Sequence, residues 1–250
     1  MVVLGDRKCH WLYVSFNLIS ILLTSEDKQD YAQLARNLVI ATSCPVAVPN
    51  YRLTPTTGDP IFIHPAHTQD LLQFLNYILL HPSSAFDPGN LALIGHSCSA
   101  HMLSSIFLDS SAITPSLSPS PELLHSVKAI IMSEGIYDLD ILMTSFPRYR
   151  EWFIQPAFGI AESYSQVSVL TYPSRPSTSA ISWLLLHSKG DTLVDQIQTD
   201  AMYDHLSQLF PQNVSRNVDD LVGEHNGILF SDRYVELISQ FLVKFLNSGA

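Results

Sequence analysis

Charge is scarce in this 250-residue chain: Asp, Glu, Lys and Arg together make up 14% of it, against a usual share of about 25%. Cations are the scarcer kind, 13 Lys and Arg against 23 Asp and Glu, for a formal charge of −10. A chain so acidic lacks the cationic footprint that phosphate backbones and anionic bilayers select, which argues against nucleic acid and membrane surfaces as partners. Cysteine is sparse too: Cys9, Cys44 and Cys98 are odd in number and far apart. That usage is expected of free thiols in a reducing compartment, hence a cytoplasmic location, and not of a disulfide framework. No Cys/His cluster has zinc-ligand spacing and no glycine-rich phosphate loop occurs, so neither metal nor other cofactor is expected. The uncharged stretch Trp11 to Leu23 is too short to cross a bilayer, which takes about 20 residues. Thr24-Ser25-Glu26-Asp27 behind it offers no signal-cleavage pattern, and its Val, Ile, Tyr and Phe content reads as a buried strand.

What the chain does have is apolar mass: 46% hydrophobic residues, 10% aromatic. This excludes intrinsic disorder, which needs low hydrophobicity and high charge. The length suits one large domain spanning residues 1–250. Helical and extended patterns alternate. Lys28 to Thr42 and His67 to Leu80 have helical spacing, the first with Ser25 or Asp27 as expected N-caps. Pro45 to Pro49, Asn90 to Ile94, Val127 to Met132 and Trp183 to His187 are short apolar strands. Ser97 to Leu108, Ile197 to Leu209 and Tyr234 to Phe245 read as helices, and Ser111 to Pro121 as a surface loop. Val214 to Val222 is a poor strand, weakened by Asn217, Asp219 and Asp220. Strands separated by helices predict an α/β fold, a mainly parallel sheet with helices on both faces. The aromatic, irregular segment 139–180 is expected to be a cap inserted over one end of that sheet.

The chemistry-bearing stretch is Leu91-Ala92-Leu93-Ile94-Gly95-His96-Ser97-Cys98-Ser99-Ala100-His101. A buried strand ends at a glycine and a helix starts two or three residues on. A serine at such a turn stands above the sheet edge, at the positive end of the helix dipole. Ser97 is therefore the candidate nucleophile, with helix N-capping its competing role. The Cys98 backbone amide is the candidate oxyanion donor, and its thiol the rival nucleophile. A serine needs a base held by an acid. Asp191, on the glycine turn past the strand ending at His187, is the candidate acid, with Asp195 as its rival. His225, between Gly223 and Gly227, is the candidate base: of the ten histidines, it alone occupies the loop expected to return to the serine.

These motifs resemble the α/β-hydrolase superfamily, and within it the kynurenine formamidase (arylformamidase) group. The likeness rests on Gly95-His96-Ser97-Cys98-Ser99-Ala100-His101, similar to that group's GHSAGAH-type elbow. It rests also on Ser133-Glu134-Gly135-Ile136-Tyr137-Asp138-Leu139, on His187-Ser188-Lys189-Gly190-Asp191 and on His225-Asn226. The resemblance implies Ser97, Asp191 and His225 as nucleophile, acid and base, acting on N-formyl-L-kynurenine to give kynurenine and formate. The implied partner is a small amide or ester, with a homodimer left open. Two departures are visible. Ser99 stands where the group has glycine, and no His-Gly-Gly occurs to supply a second oxyanion amide. Its expected place, Cys9 to Ser25, has no glycine, so the fold is expected to be N-terminally shortened. A carboxylesterase of secondary metabolism, or a catalytically impaired hydrolase-like binding protein, are the alternative expectations. Tyr149, Trp152, Phe153, Phe158 and Tyr164 are candidates to line an aromatic pocket, and Arg148 and Arg150 to pair with a substrate carboxylate.

Overall fold

A computed structural model of the chain describes residues 2–4, 12–16, 29–54 and 62–246. Seven strands form one sheet: β1 (Val2–Leu4), β2 (Leu12–Phe16), β3 (Val46–Val48), β4 (Leu91–His96), β5 (Val127–Ser133), β6 (Ser182–Ser188) and β7 (Val214–Leu221). Their order is β1-β3-β2-β4-β5-β6-β7. Every pairing is parallel except β1 on β3. The crossovers carry α1 (Ala32–Thr42), α2 (Ala66–Leu80), α3 (Cys98–Phe107), the short α4 (Pro121–Ser126) and α5 (Leu139–Ser145). After a one-turn helix, α6 (Gln155–Phe158), come α7 (Gln196–Leu209) and the closing α8 (Asp232–Leu246).

The central strands are apolar on both sides because both sides are covered. On one face Leu91 and Leu93 of β4, Ile130 and Met132 of β5, and Trp183 and Leu185 of β6 pack against α2, α3 and α7. On the other, Ala92, Ile94, Ala129, Ile131, Leu184 and Leu186 pack against α1 and α8. The helices reach the sheet through residues one turn apart: Leu71, Leu75 and Ile78 on α2, and Tyr234, Ile238 and Leu242 on α8. Each large side chain fully buried this way contributes about 1.5–3 kcal/mol.

The departures from the sequence reading are local. The stretch from Trp11 forms a strand only over Leu12–Phe16, lodged between β3 and β4; its remainder lies outside the described residues. The first helix starts at Ala32 without a side-chain cap at Tyr31, and the expected caps Ser25 and Asp27 lie outside the described residues. The end of the expected loop at 111–121 winds into α4, because the Ser120 Oγ accepts from the Leu123 amide. In the cap region α5 starts the same way, with Asp138 Oδ1 accepting from the Ile141 amide. Val214–Leu221 does form a strand despite its Asn and Asp residues, because β7 is an edge and half of its side chains are exposed. The cysteine expectation is corrected: Cys44 is disulfide-bonded, while Cys98 is a buried free thiol. Among the described residues no helix is long and apolar enough to cross a membrane.

Candidate active site

The turn after β4 carries one of the positive-φ residues among the described residues. Ser97 has φ 54° and ψ −120°, a region that favours glycine and costs a residue with a Cβ about 1–3 kcal/mol. Its amide donates to the Ser133 carbonyl at 2.9 Å and its carbonyl accepts from Ala100 and Ile136, so the conformation is held from three sides. The hydroxyl makes no capping bond to α3, which removes the competing helix-cap role. Gly95 gives the turn room: a Cβ there would lie 2.8 Å from Leu103 Cδ1 and 3.0 Å from the Ser99 backbone. Ser99 is accommodated at the departed glycine position, fully buried. Cys98 opens α3 with its thiol turned into the core, Sγ lying 3.7 Å from the Tyr51 hydroxyl. Beside it lies a small cavity lined by His64, His67, His101, Met102 and Phe158.

Asp191 and His225 come from separate loops and meet. His225 Nδ1 lies 2.7 Å from Asp191 Oδ2, with both side chains almost wholly buried. The other Asp191 oxygen, Oδ1, accepts from the Leu193 and Val194 amides, which fixes the carboxylate's plane. Burial would raise the Asp191 pKa, but the His225 hydrogen bond and charge, with those two amides, hold it below the ordinary carboxylate value. Asp195 is not a competitor: it starts α7 and accepts a hydrogen bond from Ser145.

The loops that carry Asp191 and His225 are tied to each other. Ser188 Oγ donates to the Gly223 carbonyl at 2.5 Å, and Lys189 N donates to Leu221 O at 3.0 Å. A Cβ on Gly190 would lie 2.4 Å from Val222 O and 2.7 Å from Gly223 O. Gly190→Ala must therefore push one loop off the other. A displacement approaching 1 Å costs on the order of 10²-fold in rate, so kcat is expected to fall about that much although no charge changes. Steady-state kinetics beside a thermal melt checks it, and an unchanged kcat would show that the loops are not coupled.

A second carboxylate, with no role read from the sequence, stands in the same cluster. Glu134, at the end of β5, has φ 49° and no solvent exposure. Its Oε2 is 3.1 Å from His225 Nδ1 and 3.9 Å from His96 Nε2. The only signal in the sequence was its place in Ser133-Glu134-Gly135, an acid at a strand tip. Burial, with the Asp191 charge, lifts the Glu134 pKa to about 7 against the pull of His225. For His225 burial acts downward, but the hydrogen bonds and charges of Asp191 and Glu134 prevail and raise it to about 9. His96 is fully buried, its imidazole 4.7 Å from that of His225. Burial and the neighbouring His225 hold His96 well below its ordinary value. Its Nδ1 lies 2.9 Å from Ser133 Oγ, which in turn lies 2.8 Å from the Tyr234 hydroxyl. Among the described residues, His96, Glu134 and His225 also bring three metal-ligand-type atoms within 4.8 Å of one another. A cation bound through His225 Nδ1 would displace the proton that Asp191 holds.

The cap residues divide. Phe153, Phe158 and Tyr164 pack with Leu142 and Ile154, and with Ile136 and Val194 from outside the segment, in a separate apolar cluster. Trp152 is half exposed and, with Phe146, Arg148, Tyr149 and Leu193, lines an open groove. The Tyr149 hydroxyl donates to the Leu193 carbonyl, two residues past Asp191, so the groove abuts the acid loop. Arg150, one of the two candidates for a substrate carboxylate, donates to the Ala161 and Glu162 carbonyls.

A parallel sheet of this order, with helices on both faces and a strained turn after its central strand, has close structural counterparts. A truncated carbohydrate esterase from gut microbiota superposes with a TM-score of 0.73, covering 97% of this chain and 88% of that one at 13% identity. An esterase of Pyrobaculum calidifontis gives 0.69 at 16% identity, covering 97% and 78%. The chain has the α/β-hydrolase fold. No family model matches it. Within the α/β-hydrolases its curated relatives are kynurenine formamidases: that of Meyerozyma guilliermondii is 29% identical over 160 residues, 63% of this chain and 57% of the relative. That of Aspergillus versicolor is 27% identical over 215 residues, 76% and 72%. This α/β-hydrolase thus resembles the kynurenine formamidases, and it spans between about half and three quarters of the length of those it matches.

Proposed function

We propose that this chain is a serine hydrolase of a small amide or ester, acting as a formamidase of the kind it resembles. The observation that carries this reading is the 2.7 Å contact between His225 and Asp191, made from loops that follow, in chain order, the strained serine turn. In this scheme His225 Nε2 removes the Ser97 hydroxyl proton as the oxygen attacks the substrate carbonyl, and Asp191 holds Nδ1–H and stabilises the imidazolium. The Cys98 amide, at the start of α3, supplies an oxyanion donor. The imidazolium returns its proton to the leaving amine or alcohol, leaving an acyl-enzyme, a formyl ester for a formamide. Water deprotonated by His225 then releases the acid and restores Ser97.

The small cavity beside Cys98 favours a short acyl group, and the groove of Phe146, Tyr149 and Trp152 beside the acid loop favours an aryl leaving group, with the exposed Arg148 placed for an anionic substituent. The second oxyanion donor that relatives draw from an HGG-type loop has no His-Gly-Gly counterpart in the sequence. Loss of one such donor costs about 10²–10³ in rate, so turnover is expected to be slow. Wild-type protein is expected to react with a fluorophosphonate, with the adduct mapping to Ser97. It is expected to hydrolyse N-formylkynurenine faster than simple acetyl esters. The reverse order of rates would make it a carboxylesterase. Absence of both adduct and turnover would reject the hydrolase reading and leave a hydrolase-like binding protein.

A further inference from the structure

We propose that Glu134 is a positioning residue for the base, a second carboxylate that shares the His225 Nδ1 hydrogen with Asp191 and can hold the imidazole in place of it. The inference deepens the hydrolase reading and rests on His225 being the base. The sheet order puts β4, β5 and β6 side by side, and His96 pairs with Ser133 in register. Ser97, Glu134 and Asp191 therefore project from three neighbouring strand ends, with Glu134 between nucleophile and acid. Its amide donates to the Leu186 carbonyl of β6 at 2.9 Å, while the Ser133 carbonyl receives the Ser97 amide at 2.9 Å. The backbone that places Glu134 is thus the same that places the other two.

The energetics demand a role for it. A fully buried carboxylate is costly unless paired, and this one has a positive φ besides. Neither of its oxygens, nor His96 Nε2, makes a well-formed hydrogen bond among the described residues. The titratable groups around it are His96 from β4, Asp191 and His225 from the two loops, and Tyr234 from α8. Of these, His225 Nδ1 is at ion-pair distance, 3.1 Å. The Nδ1 nitrogen has carboxylate oxygens at 2.7 and 3.1 Å; it is hydrogen-bonded to the nearer, on Asp191, and attracted by the charge of the farther. The nearer dominates, and the farther limits the ring's rotation about its Cβ–Cγ bond. Proton bookkeeping is simple. In the ring that accepts the Ser97 proton one hydrogen sits on Nδ1 and Asp191 is ionised, and above about pH 7 Glu134 is ionised as well. When the ring takes the Ser97 proton, the imidazolium faces Asp191 as the nearer carboxylate at 2.7 Å and Glu134 as the farther one at 3.1 Å.

The test compares Glu134→Gln, Asp191→Ala and the double variant, each checked by thermal melt, in kcat/KM for an aryl formamide between pH 5 and 10. Glu134→Gln keeps the shape and removes the charge that raises His225. The acid limb of its pH profile should move down by about one unit, with kcat lowered several-fold and KM unchanged. Asp191→Ala should keep activity at least tenfold above the double variant, because Glu134 can still hold Nδ1–H. An unshifted acid limb in Glu134→Gln, or an Asp191→Ala variant no more active than the double, overturns the proposal. Failure of the underlying reading looks different: the wild type itself would not label at Ser97. Should Glu134→Gln not fold, the downfield Nδ1–H proton resonance of the wild type decides. A titration step near neutral pH supports the sharing, and its absence refutes it.

Discussion

Replacing Ser97 by alanine is expected to lower turnover of an aryl formamide by on the order of 10⁶-fold, the loss seen when the nucleophile of a serine triad is removed, and to abolish fluorophosphonate labelling. The hydroxyl makes no capping bond, so its removal leaves α3 intact and the melting temperature should stay within a degree or two. That separation is the strength of the test: a serine kept for packing would show the opposite pattern, with stability lost and rate kept. Ser97→Gly sharpens it. At φ 54°, deleting the Cβ relieves about 1–3 kcal/mol of strain and costs about 0.5–1 kcal/mol of chain entropy. Stability should rise by about 1 kcal/mol while activity disappears. A Ser97→Ala variant with even a tenth of wild-type turnover would end the nucleophile assignment.

Acid should unfold the chain early. His67, His96 and His101 are buried, and burial holds His67 and His101 at about 4 and His96 well below its ordinary value. In the unfolded chain these imidazoles charge below about pH 6.5, whereas in the fold they stay neutral until far lower. The unfolded state therefore binds more protons, and stability falls as pH drops below 6.5. Glu134 works the other way. Raised to about 7, it holds a proton in the fold that the unfolded chain releases above about 4.5, and so offsets one of the three. His64, lowered to about 3 by burial, and His187 and His205, also lowered by burial, act in the same direction as the three. The net is therefore more than two protons, each worth about 1.4 kcal/mol per pH unit, and the melting temperature is expected to fall by at least about 8 °C. Calorimetric scans at pH 7 and pH 5 check it. A difference under 2 °C would mean that these imidazoles charge in place.

The legible parts of the molecule were those where one local rule decides. Asn90 to Ile94 followed by Gly95 and Ser97 announces a buried strand and a strained turn. Gly190-Asp191 and Gly223 to Gly227 stand at positions where only loops are possible, and the contact between Asp191 and His225 joins two such loops. What the sequence hid is decided by distant neighbours. Glu134 was visible at a strand tip, but that its carboxylate faces His225 depends on the lateral order of β4, β5 and β6, which no local pattern encodes. α4 and α5 are short helices that hang on single caps, Ser120 and Asp138, inside stretches whose composition reads as loop. The edge strand β7 carries polar residues because about half of its side chains are exposed, so alternation rules underrate it. Three residues of β1 are too few for any periodicity to show. The disulfide at Cys44 was masked by an odd and scattered cysteine count.

The contact of Gly190 with the Val222 and Gly223 carbonyls has a bearing on how this molecule can change. Asp191 and His225 are carried on what amounts to a single clasp, although some thirty residues of chain separate them. Grafting either loop alone from another hydrolase would import a partner cut for a different fit. Segments 188–194 and 221–228 should therefore be exchanged as a pair, and substitutions accepted in one should require matching changes in the other.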